Sequence, residues 1–283
     1  MPELIQYHND LNLLPLGKLS ALEQNFLFRV IQLVKEQGCK QLFVYDKEAF
    51  KSISQSRIMD DELLKIARGT ANKFINLVFK RYIPRDDGLI SERYSNLFEH
   101  FEIVHENNKE LKAVRVKVGE EFAYLTNQLF QHFTQIGEIE HAMIKNKHAK
   151  ILYREILSKH KMTNHFEIKF DDLKEKLGLD KDYSSCNLDK ILMQIKKELT
   201  QKEPNIFTYS LPLAKFEWKK TYKGLGGGRK GKALNTYIFE FEKKPTTTEK
   251  IVGAVKNKWK RKGVDVQVNV VNRFERKIDY DKR

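Results

Sequence analysis

Asn187, Lys190, Gln194 and Lys197 are spaced so that all four fall on one face of an α-helix. Each carries a side chain suited to nucleic acid. The Asn and Gln amides can bond an adenine edge bidentately, and the lysines can reach guanine or phosphate. The opposite face holds Leu188, Ile191, Leu192, Ile195 and Leu199, a continuous apolar stripe that must face a core. Just upstream, Ser184 and Ser185 stand where hydroxyls and backbone N–H groups at a helix start could hold a phosphate. An ordinary surface helix has the same polar face, and on this segment alone the two readings stand level. The position of the helix in the chain separates them.

A second segment with chemistry runs from Lys223 to Lys232. Gly226, Gly228 and Gly231 match G-x-G-x-x-G, and Gly226 to Lys232 matches most of a phosphate-binding loop. Ala233 stands where that loop needs a Ser or Thr for magnesium, and the next residues, Asn235 to Phe241, alternate as a strand rather than opening a helix. The better reading is a glycine-rich hairpin tip whose Arg229, Lys230 and Lys232 ride a DNA backbone or minor groove. The eight histidines include no His-x-His pair of the kind nicking enzymes use to hold a metal, and HExxH and GxSxG are absent. No catalytic residue, cofactor or metal is expected, and the chain reads as a non-enzyme.

The elements that would position these residues occur twice. In the first unit Ser20-Ala-Leu-Glu23 is a capping box, and Leu22, Phe26, Leu27, Val30, Ile31 and Val34 follow at helical spacing up to Gly38. A strand at Gln41–Tyr45, a short helix from Asp46, a turn at Ser54–Arg57 and a helix carrying Leu63, Leu64, Ala67, Ala71, Phe74, Ile75 and Val78 come next. Strands Phe98–His105 and Leu111–Val118 close the unit around the turn Glu106–Lys109. The second unit has a helix at Asn146–Lys161, a strand at His165–Phe170, a short helix ending before Gly178, the helix Ser185–Thr200, and strands at Ile206–Leu211, Phe216–Tyr222 and Thr236–Phe241. Element starts at 20, 41, 46 and 59 recur at 147, 165, 171 and 185, an offset between 124 and 127 throughout. This is an internal repeat of the winged-helix variant of helix-turn-helix, an α+β fold with two tandem copies.

Charge follows the same division. Net charge is +14 over 283 residues, but residues 1–145 carry −1, residues 146–244 carry +9 and residues 245–283 carry +6. A polyanion is the expected partner, bound mainly by the second unit. We therefore expect a winged helix over 1–135 for self-association and secondary contact, a main DNA reader over 136–244, and a basic, partly disordered tail over 245–283. No apolar run reaches membrane-spanning length, the opening Met1-Pro2-Glu3-Leu4 lacks the layout of a secretory signal, and Cys39 and Cys186 are isolated. A cytoplasmic protein is expected, with no membrane partner.

His8-Asn-Asp-Leu-Asn-Leu-Leu-Pro-Leu followed by Leu19-Ser-Ala-Leu-Glu-Gln-Asn resembles the N-terminal signature of iteron-type plasmid replication initiators. Ala149 to Leu157, then Phe166-Glu-Ile and Leu173 to Gly178, resemble the start of their second winged helix. The resemblance covers about residues 5–243 and leaves out the tail. It implies an initiator that binds direct repeats in a plasmid origin as a monomer, and that represses its own gene as a dimer at an inverted repeat. It also implies a host initiator and the replicative helicase as partners. Asn187, Lys190, Gln194 and Lys197 would then be the principal readers. Arg57, Lys65, Arg68 and Lys73, around the corresponding helix of the first unit, would make lesser phosphate contacts. A tandem winged-helix transcriptional regulator shares every local feature, and a nicking replication enzyme is the enzymatic rival.

Overall fold

The computed structural model describes residues 4–53, 58–127, 132–160, 162–200, 213–224 and 232–243. Strand β1 (Leu4–His8) leads through two short 3-10 turns, Asn9–Leu13 and Leu16–Lys18, into helix α1 (Ala21–Gln37). The capping box forms as its residues require: Ser20 Oγ accepts from the Glu23 N–H at 3.2 Å, and the Ser20 N–H donates to Glu23 Oε2 at 2.6 Å. Strand β2 (Leu42–Asp46) ends on Asp46, whose carboxylate caps α2 (Lys47–Ser52) by accepting from the Ala49 N–H at 2.7 Å. Helix α3 (Asp60–Phe74) follows. Phe26 of α1 is the hub of this core, with the rings of Tyr45, Phe50, Phe74 and Phe101 centred 5.0–6.0 Å away.

After α3 the chain departs from the expected order. Strands β3 (Val78–Pro84) and β4 (Ile90–Asn96) form a separate antiparallel hairpin around Gly88, which has φ +77°. Only then come β5 (Phe98–Glu106) and β6 (Glu110–Val118), joined by Asn107 and Asn108, both at positive φ as a tight type I′ connection needs. Helix α4 (Glu120–Asn127) holds the extra hairpin: Glu121 pairs with Arg81 and Arg93, and the Arg81 guanidinium lies 3.8 Å from the centroid of the Tyr124 ring. Strand β7 (Phe133–Gly137) pairs antiparallel with β1 along its whole length, and α5 (Glu138–Met143) leads out of it.

The second copy comprises α6 (Lys147–His160), β8 (His165–Lys169), α7 (Phe170–Leu177), α8 (Ser185–Thr200), β9 (Leu213–Gly224) and β10 (Lys232–Lys243). Gly178 ends α7 in the left-handed region at φ +68°, and its N–H donates to the Glu175 carbonyl at 2.9 Å. The two three-stranded antiparallel sheets have the same order, β2-β6-β5 and β8-β10-β9. The protein is thus a tandem pair of winged helices. Strands β9 and β10 are longer than expected. The expected strand at Ile206–Leu211, the turn at Ser54–Arg57 and the tail 245–283 lie outside the described residues.

Residues up to Lys243 form one compact unit, and the two copies meet along α1, α6 and α7. At Gly17 a β-carbon would fall 2.2 Å from the Leu177 carbonyl carbon, and at Gly178 one would fall 2.5 Å from the Gly17 carbonyl carbon. Backbone lies directly on backbone there. Gln24 of α1, fully buried, donates to the carbonyls of Leu16, Leu19 and Lys147 at 3.3–3.4 Å and accepts from Arg154 at 3.5 Å. Lys150 is also fully buried, and donates to Asn25 Oδ1 at 2.7 Å and to the His141 carbonyl. Burial pushes the Lys150 ammonium down to about 7, with the Arg154 charge adding to the effect and Glu198 opposing it.

Two outcomes follow from this seam. Gly17→Ala should destabilise the protein by about 1–3 kcal/mol in urea unfolding, since Leu177 cannot yield without moving the α7 backbone. Gly69→Ala, with nothing within 4 Å of its added methyl, should not lower stability. Lys150→Met should change the pH profile. Between pH ~7 and ~10 the unfolded chain holds the Lys150 proton and the folded one does not, so wild-type stability rises across that window. The variant lacks this rise, and its stability relative to wild type should fall from pH 6 to pH 9; parallel profiles would show that Lys150 is not buried as described.

Candidate nucleic-acid interface

Helix α8 presents a single exposed stripe: Cys186, Asn187, Lys190, Met193, Gln194 and Lys197. The opposite side is core, with Leu188, Leu192, Ile195 and Leu199 fully buried and Ile191 half-buried. Four of the six expected helix residues are therefore brought together on one outward surface. The other two belong to its start. Ser184 is the cap, its hydroxyl accepting from the Asn187 N–H at 3.3 Å and its carbonyl from the Leu188 N–H at 3.0 Å. Ser185 is the first helical residue and half-buried, its carbonyl 3.5 Å from the Tyr237 hydroxyl. Within the stripe the Lys190 ammonium lies 3.4 Å from Asn187 Oδ1. The first turn of α8 contains no acidic residue, so the partial positive charge of the helix end is uncompensated there.

The β9–β10 hairpin packs against α8. Lys219 pairs with Glu240 at 2.7 Å, Lys215 lies 3.5 Å from the same carboxylate, and Lys223 is exposed near the hairpin's far end. Glu240 is held below the usual carboxylate range, first by the Lys219 bond. Lys232 opens β10 opposite Gly224. Arg229 and Lys230, expected at the tip, lie outside the described residues.

In the first copy the corresponding face is differently charged. Helix α3 begins Asp60-Asp61-Glu62, and Asp60 is bound by Lys47 and Lys51 at 2.5 and 2.7 Å, which holds its carboxyl down at about 2. Lys65 and Arg68 are exposed, and Arg68 donates to Asn108 Oδ1 at 2.7 Å, joining α3 to the turn of its own hairpin. Lys73 pairs with the buried Glu23 carboxylate at 2.8 Å. Arg57 lies outside the described residues. Three carboxylates at the start of α3 repel phosphate where α8 has none, so the two helices are not equivalent as DNA surfaces.

Two carboxylates of α8 were not singled out by its amphipathic pattern. Asp189 Oδ1 accepts from the Trp218 indole N–H and the Tyr237 hydroxyl, both at 3.3 Å, and Oδ2 from the Lys220 ammonium. Glu198 accepts from the Lys145 and Asn146 N–H groups ahead of α6. No spacing rule in the chain links position 189 to 218, 220 and 237; only the folded sheet does. Among the described residues no group of three or more His, Cys, Asp or Glu side chains is arranged to hold a metal ion. No helix among them is long and apolar enough to cross a membrane.

Comparison with known proteins agrees with this geometry. A probable replication protein from Bifidobacterium longum (strain NCC 2705) is 25% identical over 196 residues, which is 68% of this chain but only 62% of that protein's length. The fold is similar to that of the Pi initiator protein, solved in complex with iteron DNA, with a TM-score of 0.57 and 16% identity over 87% of this chain and 99% of that one. The family model described as "Initiator Replication protein, WH1" matches residues 4–157, more than half of the sequence. By that match the chain belongs to the family of initiator replication proteins.

Proposed function

We propose that this protein initiates the replication of a plasmid by binding double-stranded DNA sequence-specifically at direct repeats in the origin. The observation that carries the reading is the outward stripe of α8, where Asn187, Lys190, Gln194 and Lys197 share one face of a well-seated helix with no acid in its first turn. In a helix-turn-helix the second helix enters the major groove with its N-terminal part leading, and here that part carries Asn187 and Lys190. The +9 charge of residues 146–244 supplies phosphate attraction, and the hairpin residues Arg229, Lys230 and Lys232 would extend it along the backbone. Family membership and a fold shared with an initiator solved on iteron DNA support the same reading.

The finer parts of the proposal divide labour between the copies. Residues 136–244 read the repeat; residues 1–135 add phosphate contacts from Arg57, Lys65, Arg68 and Lys73 and carry self-association, for which their near-neutral charge is suited. A dimer about a two-fold axis fits an inverted repeat and would repress the protein's own gene, while a monomer fits head-to-tail sites. Recruitment of the host initiator and helicase would complete initiation, in the cytoplasm and without a catalytic group or cofactor of this chain.

Lys190→Ala and Gln194→Ala should each lose about 1–3 kcal/mol on a specific site and little on random duplex. Gel-shift titration on both duplexes reads this, and unchanged discrimination in both variants would remove α8 from the interface. Sedimentation should find dimers of the free protein and a single protomer on one direct repeat. A dimer on that single repeat would instead favour a conventional dimeric repressor.

A further inference from the structure

We propose that Asp189 is a positioning residue that locks the β9–β10 hairpin to α8, so that reading helix and wing meet DNA as one rigid surface. This rests on the proposed reading of α8 as the DNA interface. An acid at position 189 is out of place there on charge alone. It sits one residue from Lys190, in the copy that carries a net +9, on a helix that under this reading approaches phosphates.

Its bonds explain its presence. The carboxylate takes donors from both strands of the hairpin: Trp218 and Lys220 from β9, Tyr237 from β10. Tyr237 is the register partner of Lys220, and Phe239 that of Trp218, so the three donors lie on two alternate rungs, whose side chains share the face toward the helix. One carboxylate therefore fixes both the distance and the rotation of the hairpin relative to the exposed stripe. Packing alone does not need it. Leu188, Leu192 and Ile195, together with Phe216, Tyr237 and Phe239, are all fully buried and supply the apolar contact that seats α8 in its core. The Asp189 and Lys220 side chains remain 31% and 21% exposed, so solvent screens part of their attraction. What it adds is geometry, as the groups around a binding site do when they restrict its side chains to one arrangement. The first copy also ties its helix to its hairpin, by Arg68 on Asn108.

The test uses the full chain with Trp259→Phe, which leaves Trp218 as the only indole. Asp189→Ala, Asp189→Asn and Lys220→Met are compared on a duplex selected by the wild-type protein from random-sequence DNA and on a scrambled duplex of equal length. Urea midpoints should stay near wild type in Asp189→Asn and Lys220→Met and fall modestly in Asp189→Ala, which leaves the buried Tyr237 hydroxyl without this acceptor. Trp218 emission should shift in Asp189→Ala, reporting loss of the indole bond. The ratio of selected to scrambled affinity should fall about tenfold or more in Asp189→Ala, and less in Asp189→Asn, which keeps an acceptor for Trp218 and Tyr237. A Trp218 shift with an unchanged ratio overturns the proposal, because the tie is then broken without consequence for reading. Should Asp189→Ala fail to fold, an unchanged ratio in both Asp189→Asn and Lys220→Met overturns it equally. Lys190→Ala and Gln194→Ala separate the two levels: if they too keep wild-type discrimination, the DNA-reading assignment of α8 fails, whereas if they lose it while the Asp189 variants do not, only the role of Asp189 falls.

Discussion

The contact of Gly17 with Gly178 sets the distance between the two winged helices. Neither position has room for a β-carbon, so the turn before α1 and the end of α7 touch through bare backbone. Everything else along the seam is spaced by that contact. Gln24 can reach a carbonyl of the second copy, and Lys147 can donate to the Gly17 carbonyl at 3.0 Å, only because the chains are this close. The exposed faces of α3 and α8 inherit a fixed separation in turn. A side chain at either glycine would alter the span of the whole surface without touching a DNA-facing residue.

The seam is also polar where a core would ordinarily be apolar. Lys150 and Arg154 are fully buried on α6 with carbonyl and amide partners and no directly paired carboxylate, and one Arg154 nitrogen, Nη1, has no partner. Burial lowers both, Arg154 to about 10. Burying cations on these terms costs free energy that apolar residues of the same size would not. Stability of the two cores is therefore separate from stability of their junction: each has its own aromatic cluster, centred on Phe26 in one and on Phe166, Phe216 and Phe239 in the other.

Much of this was legible from residue types and order. Ser20 and Glu23 announce the start of α1, Gly178 the end of α7, and the paired asparagines the turn between β5 and β6, because each answers a local backbone need. The repeat was legible for the same reason, as helix and strand periods recur in one order. Three features were not. The β3–β4 hairpin has Phe79 as its one fully buried strand residue, so it lacks the alternation that marks a half-buried strand. Lys150 and Arg154 read as the solvent side of α6, since the apolar stripe of Ala149, Leu152, Tyr153, Ile156 and Leu157 accounts for only one of the two surfaces that helix buries. Asp189 reads as one more surface acid, because its partners lie 29 to 48 residues further on.

The pairing of β1 with β7 has a consequence in time. Tyr7 lies opposite Thr134, and every strand-pairing partner of β1 is made after more than a hundred intervening residues. At ordinary rates of synthesis that is a wait on the order of ten seconds, during which β1 can rest on α1, with Tyr7 against Phe28, but has no strand to pair with. Helices α1 to α3 and the β5–β6 hairpin can collapse around Phe26 in that interval, because their contacts are closer along the chain. Strand β1 is thus among the last parts of the first copy to complete its hydrogen bonds. Its docking also brings the chain to α5 and the threshold of α6, so the first copy is closed by the same event that delivers the chain to the second.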